Sequence, residues 1–273
     1  PIRSRFKISL FLHIYLHAQM QEKFGNYRPS SKTTLNKGSL LQIKSLIDNL
    51  DSCIRSLVPK DVKTQWGEYY NFTNYTPEAV SHKLHIVEEF IREAHPKKVI
   101  DLGANNGFFS RIAVNYADYI VAFDIDHKAV EENYRLTKAK KEISILPLLQ
   151  DFSSPSCSTG WNNEERMSLH ERLKADCVMA LALIHHIVIV NNVPLPKFID
   201  WLSSIAPYCI IEFVPKEDSK VQVLLASRKD IFNDYTPEGF ELALKKRFYI
   251  CKKTKIKQTC RFIYLLKRHE KIF

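Results

Sequence analysis

The chain has 273 residues, 45% of them hydrophobic, and a formal net charge of +10. That is enough apolar material for one α/β domain of about 200 residues plus an appendage. The six cysteines (Cys53, Cys157, Cys177, Cys209, Cys251 and Cys260) are scattered without a Cys-x-x-Cys pair, which argues against a disulfide scaffold or a zinc site and for reduced thiols in a cytoplasmic protein.

The charge is uneven. Residues 1–60 carry ten Lys/Arg against three acids and residues 245–273 carry eleven against one, so the middle of the chain is acidic. Basic ends attract phosphate-rich partners such as RNA, but a solvated basic face and lysines that guard strand edges explain them equally simply, and the latter is the favoured reading. The chain opens on Pro1 and its earliest methionine is Met20, so a region upstream is expected to be missing.

In chain order, residues 6–20 are apolar on nearly every side and predict a buried helix. This segment is too short to span a bilayer and holds Lys7, His13 and His17, and no small-residue cleavage site follows, so neither a membrane anchor nor a signal peptide is expected. His13 and His17 share a helix face, but no carboxylate or cysteine completes a metal set, and both are read as packing residues with no metal site anywhere. A polar linker at 28–38 precedes a second helix over 39–57, with Leu40, Ile43, Ile47, Leu50 and Ile54 near a 3.6-residue period. These elements form a helical amino-terminal extension, residues 1–60, ahead of a catalytic domain, residues 61–273.

The domain alternates strand and helix. Strand-like runs are predicted at 98–102, 119–123, 143–149, 177–183 and 209–214, separated by helices such as 128–140 and 195–205. Such alternation gives a parallel sheet covered on both faces by helices. After a helix at 219–228, runs at 247–254 and 259–267 are too close for a helical crossover and predict an antiparallel hairpin.

The most informative junction is Asp101-Leu-Gly103-Ala-Asn105-Asn-Gly107, with a strand entering and a helix leaving at Phe108. Strand, tight glycine loop and helix N-terminus together bring backbone N–H groups up to a nucleotide-like ligand. A dinucleotide fingerprint needs a third glycine where Phe108 stands, which weakens a dehydrogenase reading, while Asn105 is the non-glycine type that best tolerates left-handed angles. Two further acids, Asp124 and Asp151, close the next two strand-like runs.

This pattern resembles motif I of the class I S-adenosylmethionine-dependent methyltransferases. The resemblance implies a Rossmann-like seven-stranded sheet with a terminal antiparallel hairpin and S-adenosylmethionine as cofactor. It implies that Gly103, Asn105 and Gly107 lie against the methionine part, that Asp124 holds the ribose and that Asp151 approaches the adenine, with Asp101, Ile125 and Phe152 also at the cofactor. Ala180 is expected beside the cofactor, and Lys83 is placed to reach the methionine carboxylate.

Downstream, Ala180-Leu-Ala-Leu-Ile-His185-His186 ends the fourth strand, near the reactive methyl in this fold. Either histidine can serve as a general base or simply shape the pocket, with His185 slightly favoured. Glu212, within the apolar fifth strand, needs a partner such as Lys216, His185 or His186 and is a third catalytic candidate. Aromatic loops carrying Trp66, Tyr69, Tyr70 and Tyr75, and Trp161, Asn162 and Arg166, are read as a lid or substrate wall, against the alternative of ordinary packing.

With these loops, the strings Ala-Leu-Ala-Leu-Ile-His-His and Ile-Glu-Phe-Val-Pro-Lys are similar to an uncharacterised bacterial methyltransferase group related to the host-specific nodulation protein NoeA. The resemblance runs from Trp66 to Arg268. It implies a methyltransferase with an unidentified acceptor. Neither the Asn/Asp-Pro-Pro-Tyr/Phe string of base-amine methylation nor a Pro-Cys nucleophile is present, leaving a small molecule or carbohydrate as the expected acceptor and RNA methylation or nucleic-acid binding as the alternative.

Overall fold

The computed structural model describes residues 8–25, 40–57, 64 and 75–270. The chain divides into two compact units, Pro1–Val62 and Lys63–Phe273.

In the first unit, Ile8–Leu10, a π-helical stretch Phe11–Leu16 and His17–Phe24 follow one another directly, and Leu40–Arg55 forms a separate helix. His13 Nε2 lies 2.8 Å from Asn49 Oδ1, so this histidine meets a neutral amide. No group of three or more His, Cys, Asp or Glu able to hold a metal occurs among the described residues. The first helix forms where the apolar run predicts one, but the expectation that it is buried fails. Ile8 is 82% exposed, and Leu12, Ile14 and Met20 are exposed as well. None of the described helices is long and apolar enough to cross a membrane.

The second unit is built on seven strands: β1 Lys98–Leu102, β2 Tyr119–Asp124, β3 Ile145–Leu149, β4 Cys177–Ala180, β5 Tyr208–Phe213, β6 Phe248–Lys255 and β7 Phe262–Arg268. They form one sheet in the order β3-β2-β1-β4-β5-β7-β6. The first five strands are parallel, and β7 runs antiparallel between β5 and β6. The hairpin therefore inserts its second strand next to the parallel sheet and leaves β6 at the edge.

Alternate side chains along each strand enter opposite cores, as the two-residue period of a strand requires. Ile100, Val178, Ile211 and Tyr264 join one cluster; Val99, Cys177, Ile210 and Ile263 join the other. The first cluster is covered by α4 Leu195–Ile205, α5 Ser219–Ala226 and α6 Pro237–Lys245. The second is covered by α1 Pro77–Ala94 and α2 Phe108–Ala113, while α3 His127–Lys140 follows β2. Helices α1 and α6 start alike, with a threonine hydroxyl, Thr76 or Thr236, accepting a backbone N–H and a proline in the first turn, two favourable capping features.

Four predicted strands have clearly different bounds in the structure. The third starts at Ile145, leaving Ile143 exposed. The fourth stops at Ala180 because Ala182 adopts φ 50°, which no strand continues through. The hairpin strands shift to Phe248–Lys255 and Phe262–Arg268, with Gln258 at φ 57° making the turn.

The hairpin also accounts for the uneven charge. Lys252 pairs with Glu89 and Glu93 of α1, Lys253 with Glu241 of α6, and Arg247 with Asp200 of α4. The basic segment after residue 245 is thus matched to acids contributed by the middle of the chain, so several of its charges face protein carboxylates.

Phe213 is fully buried, stacked on Phe240 with ring centroids 4.6 Å apart and beside Tyr235 at 5.0 Å. Phe213→Ala is expected to lower the free energy of unfolding by about 3–5 kcal/mol in urea titrations, the scale of an aromatic side chain removed from a packed core.

Candidate active site

Strand order reverses at β1: the chain runs outward through β2 and β3, then returns to place β4 on the other side. In open α/β sheets this reversal opens a crevice beyond the carboxyl ends of the strands. A cleft of about 260 Å³ lies here, bounded by the loop after β1, the ends of β2 and β3, and the segment after β4.

The loop after β1 has three left-handed residues at alternate positions, Gly103 (φ 73°), Asn105 (φ 50°) and Gly107 (φ 78°). Glycine adopts these angles without steric cost and asparagine at little cost. A Cβ at Gly107 would lie 2.6 Å from Arg111 Nη1, so the position is restricted by space as well as by angle. Gly103 and Ala104 both donate their N–H to Phe123 O, at 2.9 and 2.8 Å, which fastens the loop to β2. Arg111 Nη1 donates to Asn106 O at 2.7 Å and its other end reaches Thr137 and Glu142, clamping the loop toward α3.

Asp124 closes β2. Its Oδ2 accepts the Asn105 N–H at 2.7 Å and its Oδ1 accepts the Asp126 N–H at 2.8 Å. Each oxygen keeps a second lone pair, so the carboxylate orders the loop and can still accept from a ligand in the cleft. Asp126 in turn caps α3 by accepting from Lys128 and Ala129. Burial raises the pKa of Asp124, and these backbone donors oppose the rise.

Asp101, at the end of β1, is buried at the cleft wall and accepts a 2.6 Å hydrogen bond from Ser110 Oγ. Burial lifts its pKa to about 7, helped by the nearby Asp124 and resisted by Ser110 and Lys83. Ile125, Asp151 and Phe152 line the far end of the cleft. Phe152 is set edge-on to Phe123 and tilted against Trp201, with centroids 5.4 and 5.5 Å away. Asp151 Oδ1 accepts from both the N–H and the hydroxyl of Ser153.

After β4, Leu181, Ala182 and Leu183 form the wall, and a π-helical turn His186–Val190 continues it with His186, Ile187 and Val190. Left-handed Ala182 and a π-helical turn are both uncommon backbone states that concentrate at functional sites. Arg228 holds the turn by donating to Ile189 O, and Leu224 of α5 faces it across the cleft.

The two histidines separate here. His186 lines the cleft, whereas His185 is buried behind it with ring centroids 4.1 Å apart, so the slight preference for His185 gives way to His186 on access. Burial, with the cation of Arg261, lowers the His186 pKa to about 4, and burial first, then His186, lowers that of His185 well below the usual imidazole value. Both rings are neutral at pH 7.

Glu212 is fully buried and does not line the cleft. Its partners are not those expected. Lys83 Nζ lies 2.6 Å from its Oε2, the Tyr75 hydroxyl donates to Oε1, and Arg261 approaches Oε1 at 3.4 Å. Lys216 pairs instead with Asp230. Arg261 is itself buried, with a two-pronged hold on Asp218 at 2.6 and 3.0 Å. Sequence reasoning missed Arg261 and Asp218; the signal available was a buried acid in β5 that demanded cations from elsewhere.

Other expected residues fall away from the cleft. Ala180 is fully buried in β4, and the following residues take its place on the wall. Tyr75 is held in the ion cluster, not in a lid. Trp161 is 81% exposed, and neither it nor Asn162 or Arg166 lines the cleft; Asn162 is in a left-handed turn and Arg166 bridges Thr159. Trp66, Tyr69 and Tyr70 lie outside the described residues.

A seven-stranded sheet in this order, with a left-handed glycine loop after β1 and an acid after β2, is the fold of the class I S-adenosylmethionine-dependent methyltransferases. The N-methyltransferase NodS from Bradyrhizobium japonicum WM9, solved with S-adenosyl-L-homocysteine, superposes with a TM-score of 0.53 at 10% identity, over 81% of this chain and 98% of NodS. The bifunctional kinase-methyltransferase WbdD superposes with a TM-score of 0.52 at 18% identity, over 80% of this chain and 47% of WbdD. No protein-family model matches the chain. The sequence is, however, 36% identical over 281 residues to the nodulation protein NoeA of Rhizobium meliloti (strain 1021), covering 98% of this chain. The chain spans 57% of the length of NoeA.

Asp101 gives the site a signature in the ligand-free protein. Folding raises its pKa from the ordinary carboxylate range to about 7, so the folded state binds this proton more tightly than the unfolded state. Its contribution to stability is complete below the unfolded pKa and is lost as pH rises through about 7. Urea titrations across this interval should show a loss of stability with rising pH that Asp101→Asn reduces; an identical pH dependence in the variant would contradict the assignment.

Proposed function

We propose that the chain transfers a methyl group from S-adenosylmethionine to a small-molecule or carbohydrate acceptor. The observation that carries this reading is the Gly103–Gly107 loop, left-handed at three positions and pinned to Asp124 where the strand order reverses. The lining fits the cofactor: the loop brings its backbone up to the cleft at Gly103, Ala104 and Asn105, Asp124 offers a carboxylate for a ribose diol, and Ile125 and Phe152 are apolar walls for a base beside Asp151.

When bound, S-adenosylmethionine supplies an electrophilic methyl on a positively charged sulfur, and the reaction is an in-line displacement that needs alignment and exclusion of water more than covalent help. Asp124 grips the ribose, the Asp101 side of the loop receives the amino-acid end, and Lys83 faces the carboxylate. The acceptor approaches along Leu183, Ile187, Val190 and Leu224, an apolar wall that sheds water, with Asn191 to orient it. His186, neutral and in the cleft, takes the acceptor proton at a ring nitrogen as the methyl arrives.

A nucleic-acid acceptor is disfavoured because carboxylates of α1, α4 and α6 already meet basic residues of the hairpin. The fold shared with the N-methyltransferase NodS supports this reading, and neither NodS nor NoeA supplies the acceptor.

Isothermal calorimetry tests the reading. The wild-type protein should bind both S-adenosylmethionine and S-adenosylhomocysteine, and Asp124→Ala should weaken both by about 2–3 kcal/mol, the scale of lost charge-assisted hydrogen bonds. Absence of binding by the wild type would overturn it. Once an acceptor is in hand, His186→Gln is expected to lower turnover by about 10²–10⁴-fold with little change in cofactor affinity. Because the neutral ring is the active form, wild-type turnover should hold through neutral pH and fall only as pH drops toward about 4. Near-normal turnover in the variant would leave His186 as a wall of the pocket.

A further inference from the structure

Five side chains from distant parts of the chain meet behind the cleft, four of them buried and Tyr75 half-buried. Tyr75 precedes α1, Lys83 lies within it, Glu212 is in β5, Asp218 caps α5 and Arg261 precedes β7. Two cations and two carboxylates balance one another, joined by hydrogen bonds and ion pairs of 2.6 to 3.4 Å and a shorter Tyr75–Glu212 bond. The Tyr75 hydroxyl is saturated: it donates to Glu212 Oε1 and accepts from Arg261 at 2.6 Å and Lys83 at 3.3 Å.

Of the five, Lys83 alone lines the cleft. Glu212 forms an ion pair with it, Tyr75 accepts one of its N–H bonds, and the ammonium rests 4.7 Å from the centre of the Phe109 ring, another cleft residue. Burial lowers the Lys83 pKa and the Glu212 carboxylate behind it opposes the fall. Glu212 is in turn held against Lys83 by Tyr75 and by Arg261, whose planar guanidinium is locked by the two-pronged bond to Asp218.

We infer that Arg261 is a positioning residue: acting through Glu212 and Tyr75, it aims the Lys83 ammonium into the cleft as the receptor for the amino-acid carboxylate of the cofactor. The inference rests on the cofactor reading above and adds the device that selects for the amino-acid end. Lys83 and Asp101 both line the cleft, so a basic and an acidic side chain are available there for the two ends of an α-amino acid.

The test compares two ligands that share adenosine and sulfur but differ in this end: S-adenosylhomocysteine carries the carboxylate, and 5′-methylthioadenosine lacks the amino-acid group altogether. Calorimetry on the full chain with Arg261→Gln should show roughly tenfold or greater loss for the first ligand, the scale of one charged hydrogen bond, and no change for the second. Lys83→Met should give the same selective loss, and adding Arg261→Gln to it should cause no further loss, because the arginine acts through the lysine. Should Arg261→Gln fail to fold, Tyr75→Phe removes the hydroxyl shared by Arg261 and Lys83 while keeping the ring, and should shift the ratio of affinities in the same direction. Equal weakening of the two ligands, additive losses in the double variant, or an unchanged ratio in Tyr75→Phe when that variant is needed would overturn the inference. A wild-type protein that binds neither ligand would instead refute the cofactor reading.

Discussion

A carboxylate fully enclosed in the centre of a sheet is the constraint on which much of this molecule depends. Glu212 cannot be left ionised in an apolar strand without cations, and a buried charge with one partner removed costs several kcal/mol. The chain meets this need with Lys83 from the first helix of the domain and Arg261 from its last hairpin, while Tyr75 and Arg261 touch across 186 residues of sequence. The acid therefore ties the two ends of the domain to the middle of the sheet. It also connects hairpin to cleft: Asp218 both receives Arg261 and caps the helix that carries Leu224 to the cleft wall.

The second organising contact is smaller and lies at the cleft itself. Three left-handed residues in five would make a floppy turn in isolation, and the structure instead pins the loop at both faces, through Phe123 O and Asp124 on one side and Arg111 on the other. Asp124 is thus already engaged within the protein, which fixes its orientation at the cleft. Arg228 does for the π-helical turn after β4 what Arg111 does for the loop after β1. Arginine suits both tasks because a planar fork with several donors can satisfy carbonyls that an irregular backbone leaves unpaired.

Much of the architecture is legible in the sequence, since strands alternating with amphipathic helices leave a parallel sheet as the natural solution and the close spacing of the last two runs requires a hairpin. Asp101, Gly103, Asn105, Asp124, Asp151 and Phe152 are found together because strand ends in such a sheet converge by topology. What stays hidden depends on contacts across the fold. Arg261 looks like one more basic residue of a lysine-rich tail, yet it is fully buried; Tyr75 reads as a lid aromatic, yet its hydroxyl is claimed by the ion cluster. Adjacent histidines carry no sign of which one reaches the cleft, because that is decided by the π-helical turn, and Ala182 gives no hint of the left-handed angle that ends β4 two residues before it. The apolar first helix marks the opposite limit: its sequence demands cover that the described residues do not provide.

The claim that a cofactor sits at the reversal of strand order, organised by the loop and Asp124, is tested most directly by hydrogen–deuterium exchange with and without S-adenosylhomocysteine. The account predicts slowed exchange concentrated in peptides that span Gly103–Gly107, Asp124–Asp126, Asp151–Phe152 and Leu181–Val190, with β6 and β7 unchanged. Protection centred on the hairpin, or none at a ligand concentration that saturates binding, would contradict it.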